Sequence, residues 1–144
     1  MTPDFDQIIE KYHLALGEFV KGNPGATTAM FSNQEDVTLA NPFGPVVRGW
    51  KSVTETAELA AARYRNGEVT SFDKVAKHVT ANLAYIVEVE RYKAKIGGRD
   101  DITPVALRVT SIFRLEDGVW KVVHRHADPI TSIQPTHSII EKHK

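Results

Sequence analysis

The side chains best suited to chemistry cluster near the carboxyl end, in the run His124-Arg125-His126-Ala127-Asp128. Alternate residues of an extended strand share a face, so His124 and His126 present two imidazoles roughly 6 to 7 Å apart while Arg125 takes the opposite side. Two imidazoles so placed could chelate a metal if Asp128, or His78 from another strand, supplied a third ligand. Such a pair is far more often part of a hydrogen-bonded sheet face, and no metal site is expected. Glu88 and Glu90 also share a face, opposite Tyr85, Val87, Val89 and Arg91. Apolar content favours Tyr85, Val87 and Val89 as the inner set, which sends both glutamates outward to meet Arg108 and Arg114 across the strands. A slip of one residue would reverse the assignment and bury two carboxylates. In Asn41-Pro42-Phe43-Gly44 the first side chain is an amide. It can orient or hydrogen-bond a ligand, but it has no basic form at neutral pH and cannot serve as a general base. Ser111 is a lone hydroxyl in the apolar row Val105, Leu107, Val109, Phe113 and Leu115. It is either satisfied by local backbone or a ligand contact. Trp50 either lines a pocket mouth or lies buried at an interface.

The elements that must position these residues follow from periodicity. Phe5, Ile8, Ile9, Tyr12, Leu16, Phe19 and Val20 stand at helical spacing, with Thr2-Pro3 as a start signal and Gly22-Asn23-Pro24-Gly25 as a stop. A short second helix is expected from about Pro24 to Phe31, since Pro24 suits a first helical turn. The segment 36–40 reads as a short strand running into the turn formers of 41–45. A third helix is expected over 49–64, ended by Asn66-Gly67. From Val69 onward the period becomes two, predicting strands at about 69–80, 83–96, 104–115 and 119–128. Their short connections make them antiparallel neighbours, a meander whose apolar face the preceding helices must cover. The order of helices first and sheet second predicts an α+β fold.

The chain has 144 residues, 42% of them hydrophobic and 25% charged, a size at which one core covers roughly two-thirds of the surface. A single domain over 1–144 is expected, with the tail 129–144 peripheral. Lysine plus arginine equals aspartate plus glutamate at 18 each, so no net field gathers polyanions or anionic lipid, and neither nucleic acid nor membrane is an expected partner. There is no cysteine, which excludes disulfides and thiolate metal sites. The first twenty residues lack the basic-then-apolar pattern of a secretory signal, and the cytoplasm is the expected compartment.

Local strings sharpen the picture. Met30-Phe31, then Asp36-Val37-Thr38-Leu39-Ala40-Asn41-Pro42-Phe43-Gly44-Pro45, then Arg48-Gly49-Trp50 resembles a stretch typical of SnoaL-like and ketosteroid-isomerase-like members of the nuclear-transport-factor-two-like superfamily. The closing run Gly118-Val119-Trp120-Lys121-Val122-Val123-His124-Arg125-His126-Ala127-Asp128 is similar to the last strand of SnoaL-like proteins and of the calcium/calmodulin-dependent kinase II association domain. The resemblance spans nearly the whole chain. It implies a cone-shaped, curved antiparallel sheet packed on three amino-terminal helices, with a pocket open at one end.

Ketosteroid isomerases of this fold use a carboxylate base in an Asp-Pro-x-Gly string, a tyrosine and a protonated aspartic acid. The matching positions here are Asn41, Ala15 (one turn from Tyr12) and Ser111. All three depart from the pattern, so isomerase activity of that kind is not expected. The association-domain resemblance points Val123, Arg125 and Ala127 inward. Arg125 is then an anchor for a carboxylate or carbonyl ligand, or the partner of a nearby glutamate. The expected ligand-binding residues are Tyr12, Asn41, Trp50, Tyr85, Ser111 and Arg125, with no catalytic residue assigned and no cofactor. The expected function is binding of a small apolar molecule with a polar end. One alternative is an oligomerisation module like the association domain. Another is an isomerase, hydratase or cyclase with a non-standard base, such as His126 or an inward-facing glutamate. Trp120, Val122 and Ile112 on the outer sheet face suggest a covered surface and a homodimer through it.

Overall fold

A computed structural model describes residues 4–142. The amino-terminal helix α1, Phe5–Phe19, is capped by Asp4, whose side chain accepts from the Asp6 backbone N–H at 3.4 Å. The expected start signal at Thr2-Pro3 lies outside the described residues. Phe5, Ile8, Tyr12, Ala15 and Leu16 form its buried stripe. The chain leaves the helix through Gly22, whose φ of 101° favours glycine. A second helix, α2, Gly25–Met30, follows Pro24. Then come β1, Thr38–Ala40, and β2, Val47–Arg48, a small antiparallel pair around the 41–46 loop. Helix α3 is Trp50–Ala61, and the long strands are β3, Tyr64–Val79, β4, Leu83–Ile96, β5, Thr103–Glu116, and β6, Val119–Asp128. They form one six-stranded sheet in the order β2-β1-β6-β5-β4-β3. All pairings are antiparallel except that β1 runs parallel to β6. The fold is α+β, three helices on a curved, unclosed sheet, as expected.

Asn66-Gly67 does not end a helix. Helix α3 stops at Ala61, and β3 already begins at Tyr64. Asn66 adopts a left-handed φ of 56° beside a bulge between Arg65 and Glu68, so the Asn-Gly pair bends a strand. Gly67 is required there because a Cβ would stand 2.0 Å from the Val20 carbonyl oxygen.

The inner face of β5 is the expected one, with Leu107, Val109, Ser111 and Phe113 buried. That face sets the phase of β4. Directly opposed residues in an antiparallel pair project to the same side, and Ile86 opposes Ser111, Glu88 opposes Val109 and Glu90 opposes Leu107. Glu88 and Glu90 are therefore inside, each 3% exposed, and Tyr85 is outside at 40%. This reverses the expected assignment, because Val87 and Val89 lie on the outer face. Arg108 and Arg114 meet other partners, Asp128 at 2.7 Å and Asp36 at 2.7 Å.

Strand β6 carries a second correction. Phe113 opposes Val122 while Ile112 opposes His124, so Val123 is an extra residue in a bulge. The bulge puts Trp120 and Val122 inward as well as Arg125 and Ala127. Trp120 is 5% exposed, with its ring 5.2 Å from Phe5, and Val122 is fully buried. Neither belongs to the outer face.

The core sits between the helices and the concave side of the sheet, where Phe113 meets Phe5 and Tyr12 edge-on at 5.1 and 5.3 Å. After β6 a single 3-10 turn, Thr136–Ile139, leaves Ile133, Ile139 and Ile140 exposed. Among the described residues no helix is long and apolar enough to cross a membrane.

Candidate ligand-binding site

A narrow cavity of about 50 Å³ opens between α1, α3, the 41–43 segment and the inner faces of β3 to β6. Space for one water needs roughly 15 Å³ on the same scale, so the room suits a few waters or a slender molecule. Most of its wall is apolar, with Leu16, Phe19, Val20, Phe31, Leu39, Ala57, Ala60, Val69, Phe72, Leu107 and Ala127 on it. The polar side chains on the wall are the ones that decide chemistry.

Arg125 projects inward from β6, opposite Ser111 of β5. Its Nη1 donates to the Tyr12 hydroxyl at 2.7 Å and to Glu90 Oε2 at 2.8 Å, and its Nη2 donates to Glu90 Oε1 at 2.8 Å. The ion pair is almost closed to solvent, with side-chain exposures of 13% and 4%. Burial works against the guanidinium charge, but Glu90 and the Tyr12 phenol outweigh it and hold the pKa of Arg125 well above its ordinary value. Tyr12 is fully buried, and its hydroxyl also bonds the Ser111 hydroxyl at 2.7 Å. Burial pushes its pKa up, so the phenol stays neutral.

A second polar pair lines the same cavity. The Tyr92 hydroxyl donates to the Tyr64 hydroxyl at 2.6 Å, and burial raises the pKa of both phenols. At the rim, Asn41 Oδ1 accepts from the Phe43 backbone N–H at 3.0 Å. This side-chain turn holds Phe43 over the opening, 6.0 Å from the Tyr64 ring and 4.6 Å from the Arg63 guanidinium.

The structure thus brings Tyr12, Asn41 and Arg125 to one cavity and leaves the other expected site residues elsewhere. Ser111 lies behind Tyr12 and spends its hydroxyl on it. Trp50 begins α3 half-buried against the core, off the cavity wall. Tyr85 projects from the convex face beside His78, ring centroids 5.7 Å apart. Sequence reasoning missed Glu90, Tyr64 and Tyr92 as site residues. Glu90 and Tyr92 could have been found by pairing β4 against β5. Tyr64 falls in register with the helical spacing of 49–61, but the helix ends at Ala61 and Tyr64 opens β3.

The remaining chemical candidates are satisfied locally. His124 Nδ1 lies 2.7 Å from Thr38 Oγ1, and His126 Nε2 lies 2.7 Å from Asp128 Oδ2. Among the described residues no three His, Asp or Glu side chains gather into a metal-holding group. Glu88 is held by His13 Nε2 at 2.8 and 2.9 Å, with the imidazole stacked at 3.7 Å on the cavity-wall residue Phe72, and neither His13 nor Glu88 is itself on that wall.

Comparison with known proteins agrees with this architecture. A structure from Streptomyces avermitilis, a candidate dehydratase of the nuclear-transport-factor-two-like family, is 20% identical, with 90% of this chain and 100% of that chain covered and a TM-score of 0.68. A superfamily protein from Salmonella enterica serovar Typhimurium is 16% identical over 95% of this chain and 96% of its own, with a TM-score of 0.74. A candidate calcium/calmodulin-dependent protein kinase type II association domain from Thiobacillus denitrificans is 17% identical over 91% and 98%, with a TM-score of 0.70. At these identities the likeness is one of fold. No curated protein matches the sequence. The SnoaL-like domain model matches residues 6–131, and with nearly the whole folded chain inside that match, the protein belongs to the SnoaL-like domain family.

Proposed function

We propose that the chain binds a small, slender and mostly apolar molecule with one uncharged polar end. The observation that carries this reading is a mostly apolar cavity whose charged side chains, Arg125 and Glu90, are closed on one another. That pair is charge-balanced. A carboxylate ligand would bring a second negative charge beside Glu90 with no further cation to meet it, and desolvating it there is costly. A carbonyl or hydroxyl oxygen carries no such penalty and still finds guanidinium N–H groups, since the hydrogen bonds of Arg125 occupy only part of its donor set. Tyr12 supports Arg125, and Asn41 holds the rim. Glu90 is the one carboxylate on the cavity wall among the described residues. An isomerase, hydratase or cyclase acting here would have to free it from Arg125 before it could accept a proton.

The test is a thermal-shift series with single-ring probes. Cyclohexanone and phenol are expected to raise the melting temperature in proportion to RT ln(1 + [L]/Kd), and benzoate is expected to do so less. Stabilisation greatest with benzoate, or absent with every probe, would refute the reading. A homodimer through the convex face accompanies the proposal. Its basis shifts from Trp120 and Val122 to Tyr85, Val87, Val89 and Ile112, which are outward and partly or largely exposed, and an association domain is among the proteins of similar fold.

A further inference from the structure

We infer that Phe72 sets the length of ligand the cavity accepts, by closing it off from a groove on the flank of α1 that would otherwise continue it. This rests on the small-molecule reading above.

Two voids meet at β3. The cavity of about 50 Å³ and an open groove of about 540 Å³ between α1 and β3 share two wall residues, Val69 and Phe72. Phe72 opposes Glu90 and Val69 opposes Tyr92, and both partners line the cavity. The two side chains therefore project to the inner face and stand between the voids. On the groove side Ile9 and Leu14 lie on the same wall, and Leu14 is 71% exposed. Apolar surface thus continues across the partition, and an apolar chain that passed it would go on losing contact with water.

Phe72 is held in place from the groove side. His13, also on the groove wall, stacks flat on its ring, with centroids 3.7 Å and planes 3° apart. Glu88 grips His13 Nε2 through both carboxylate oxygens, and His13 is its one side-chain partner among the described residues. Since Glu88 is only 3% exposed, moving the imidazole would strand a buried carboxylate. His13 is therefore a positioning residue for Phe72. Strand β3 is an edge of the sheet, and its register breaks between Val69 and Ser71, so the partition is made by side chains with no further strand behind them.

The probes are the straight-chain primary alcohols from 1-butanol to 1-decanol, titrated by calorimetry, whose hydroxyl meets the polar wall without adding charge. In the unsubstituted protein affinity is expected to rise roughly 4-fold per methylene, the value of one buried CH₂, and to stop rising at the length where the alkyl end reaches Phe72. Phe72→Ala should move that break to longer chains by about two methylenes, roughly a 16-fold gain for those alcohols. Val69→Ala removes less of the partition and should move the break by a smaller step, a measurement that stands even if Phe72→Ala folds poorly. His13→Ala should also move it part of the way, which a merely stabilising role would not do. Gly17 lines the groove but not the cavity, and a Cβ there meets nothing within 4 Å. Gly17→Leu should therefore leave every affinity unchanged by itself and cancel the gain when added to Phe72→Ala. An affinity that climbs through 1-decanol in the unsubstituted protein, a break that neither Phe72→Ala nor Val69→Ala moves, or a gain that survives Gly17→Leu would overturn the inference while leaving small-molecule binding intact. Binding of none of the alcohols would remove both.

Discussion

Glu90 and Arg125 are fixed to one another at 2.8 Å in a setting nearly closed to water, so neither can be removed without stranding its partner. Breaking a buried ion pair costs about 3–5 kcal/mol, whereas replacing both members by apolar residues is often close to neutral. Glu90→Ala should therefore lower unfolding free energy by that amount in a urea titration, and Glu90→Leu combined with Arg125→Met should recover most of it. Strictly additive losses in the double variant would show that the two side chains are not coupled. His124 gives a pH dependence. Burial, with the nearby His126 charge, lowers its pKa from the ordinary value of 6.5, and its Nδ1 sits against Thr38. The unfolded chain then binds the proton more readily than the folded one, so this contribution to stability is full above the unfolded pKa and falls as pH drops through it. It levels off once pH is below the lowered folded value. Denaturant midpoints measured from about pH 7 down to about pH 5 should decline, and His124→Gln should flatten part of that decline.

The strands do their positioning through irregularities. In β3 the bulge after Arg65 lets Gly67 pass against the end of α1, and further register shifts follow at 69–71 and 74–76. In β6 the extra residue Val123 resets the phase so that Trp120 and Val122 fill the core while Arg125 reaches the cavity. Without it, an arginine and a tryptophan five positions apart could not point to the same side of the sheet. Gly67→Ala tests the tight passage. A Cβ there would lie 2.0 Å from the Val20 carbonyl oxygen and 2.7 Å from its Cβ, so backbone must move, at a cost of about 3 kcal/mol or more. Gly44→Ala, with open space around the new methyl, should stay within about 0.5 kcal/mol. Thermal unfolding of the two variants side by side checks the contrast.

At the scale of the molecule, the concave side is filled by helices and the convex side is left to solvent or a partner. Tyr85 at 40% and Leu83 at 47% exposure put apolar surface there, and a formal net charge of zero sets no long-range repulsion between copies. The proposed dimer predicts that Tyr85→Glu, which lies away from the cavity, shifts the mass measured by light scattering from two chains to one. The same variant should keep its cyclohexanone affinity. A monomeric mass for the unsubstituted protein at high micromolar concentration would show that the convex face is merely solvated.

Much of this architecture was written in local pattern. The α1 stripe, the inner row of β5 and the antiparallel meander all followed from spacing, because one face of each is plainly apolar. The strings around Asn41 and Arg125 carried the family resemblance, and both residues stand at the cavity. Strand β4 could not be read alone: Val87 and Val89 on one side and Ile86 and Ala84 on the other are equally plausible linings, and only hydrogen-bond register against β5 chose between them. The β6 bulge was invisible for the same kind of reason, since an inserted residue changes phase without changing composition. Tyr64 and Tyr92 are 28 residues apart, and what makes them a pair is the β3–β4 turnback that sets their hydroxyls 2.6 Å apart. Sequence determined which residues could line an interior; strand pairing decided which carboxylate and which phenols face the cavity, because a single-residue change of phase turns every side chain of a strand to its other face.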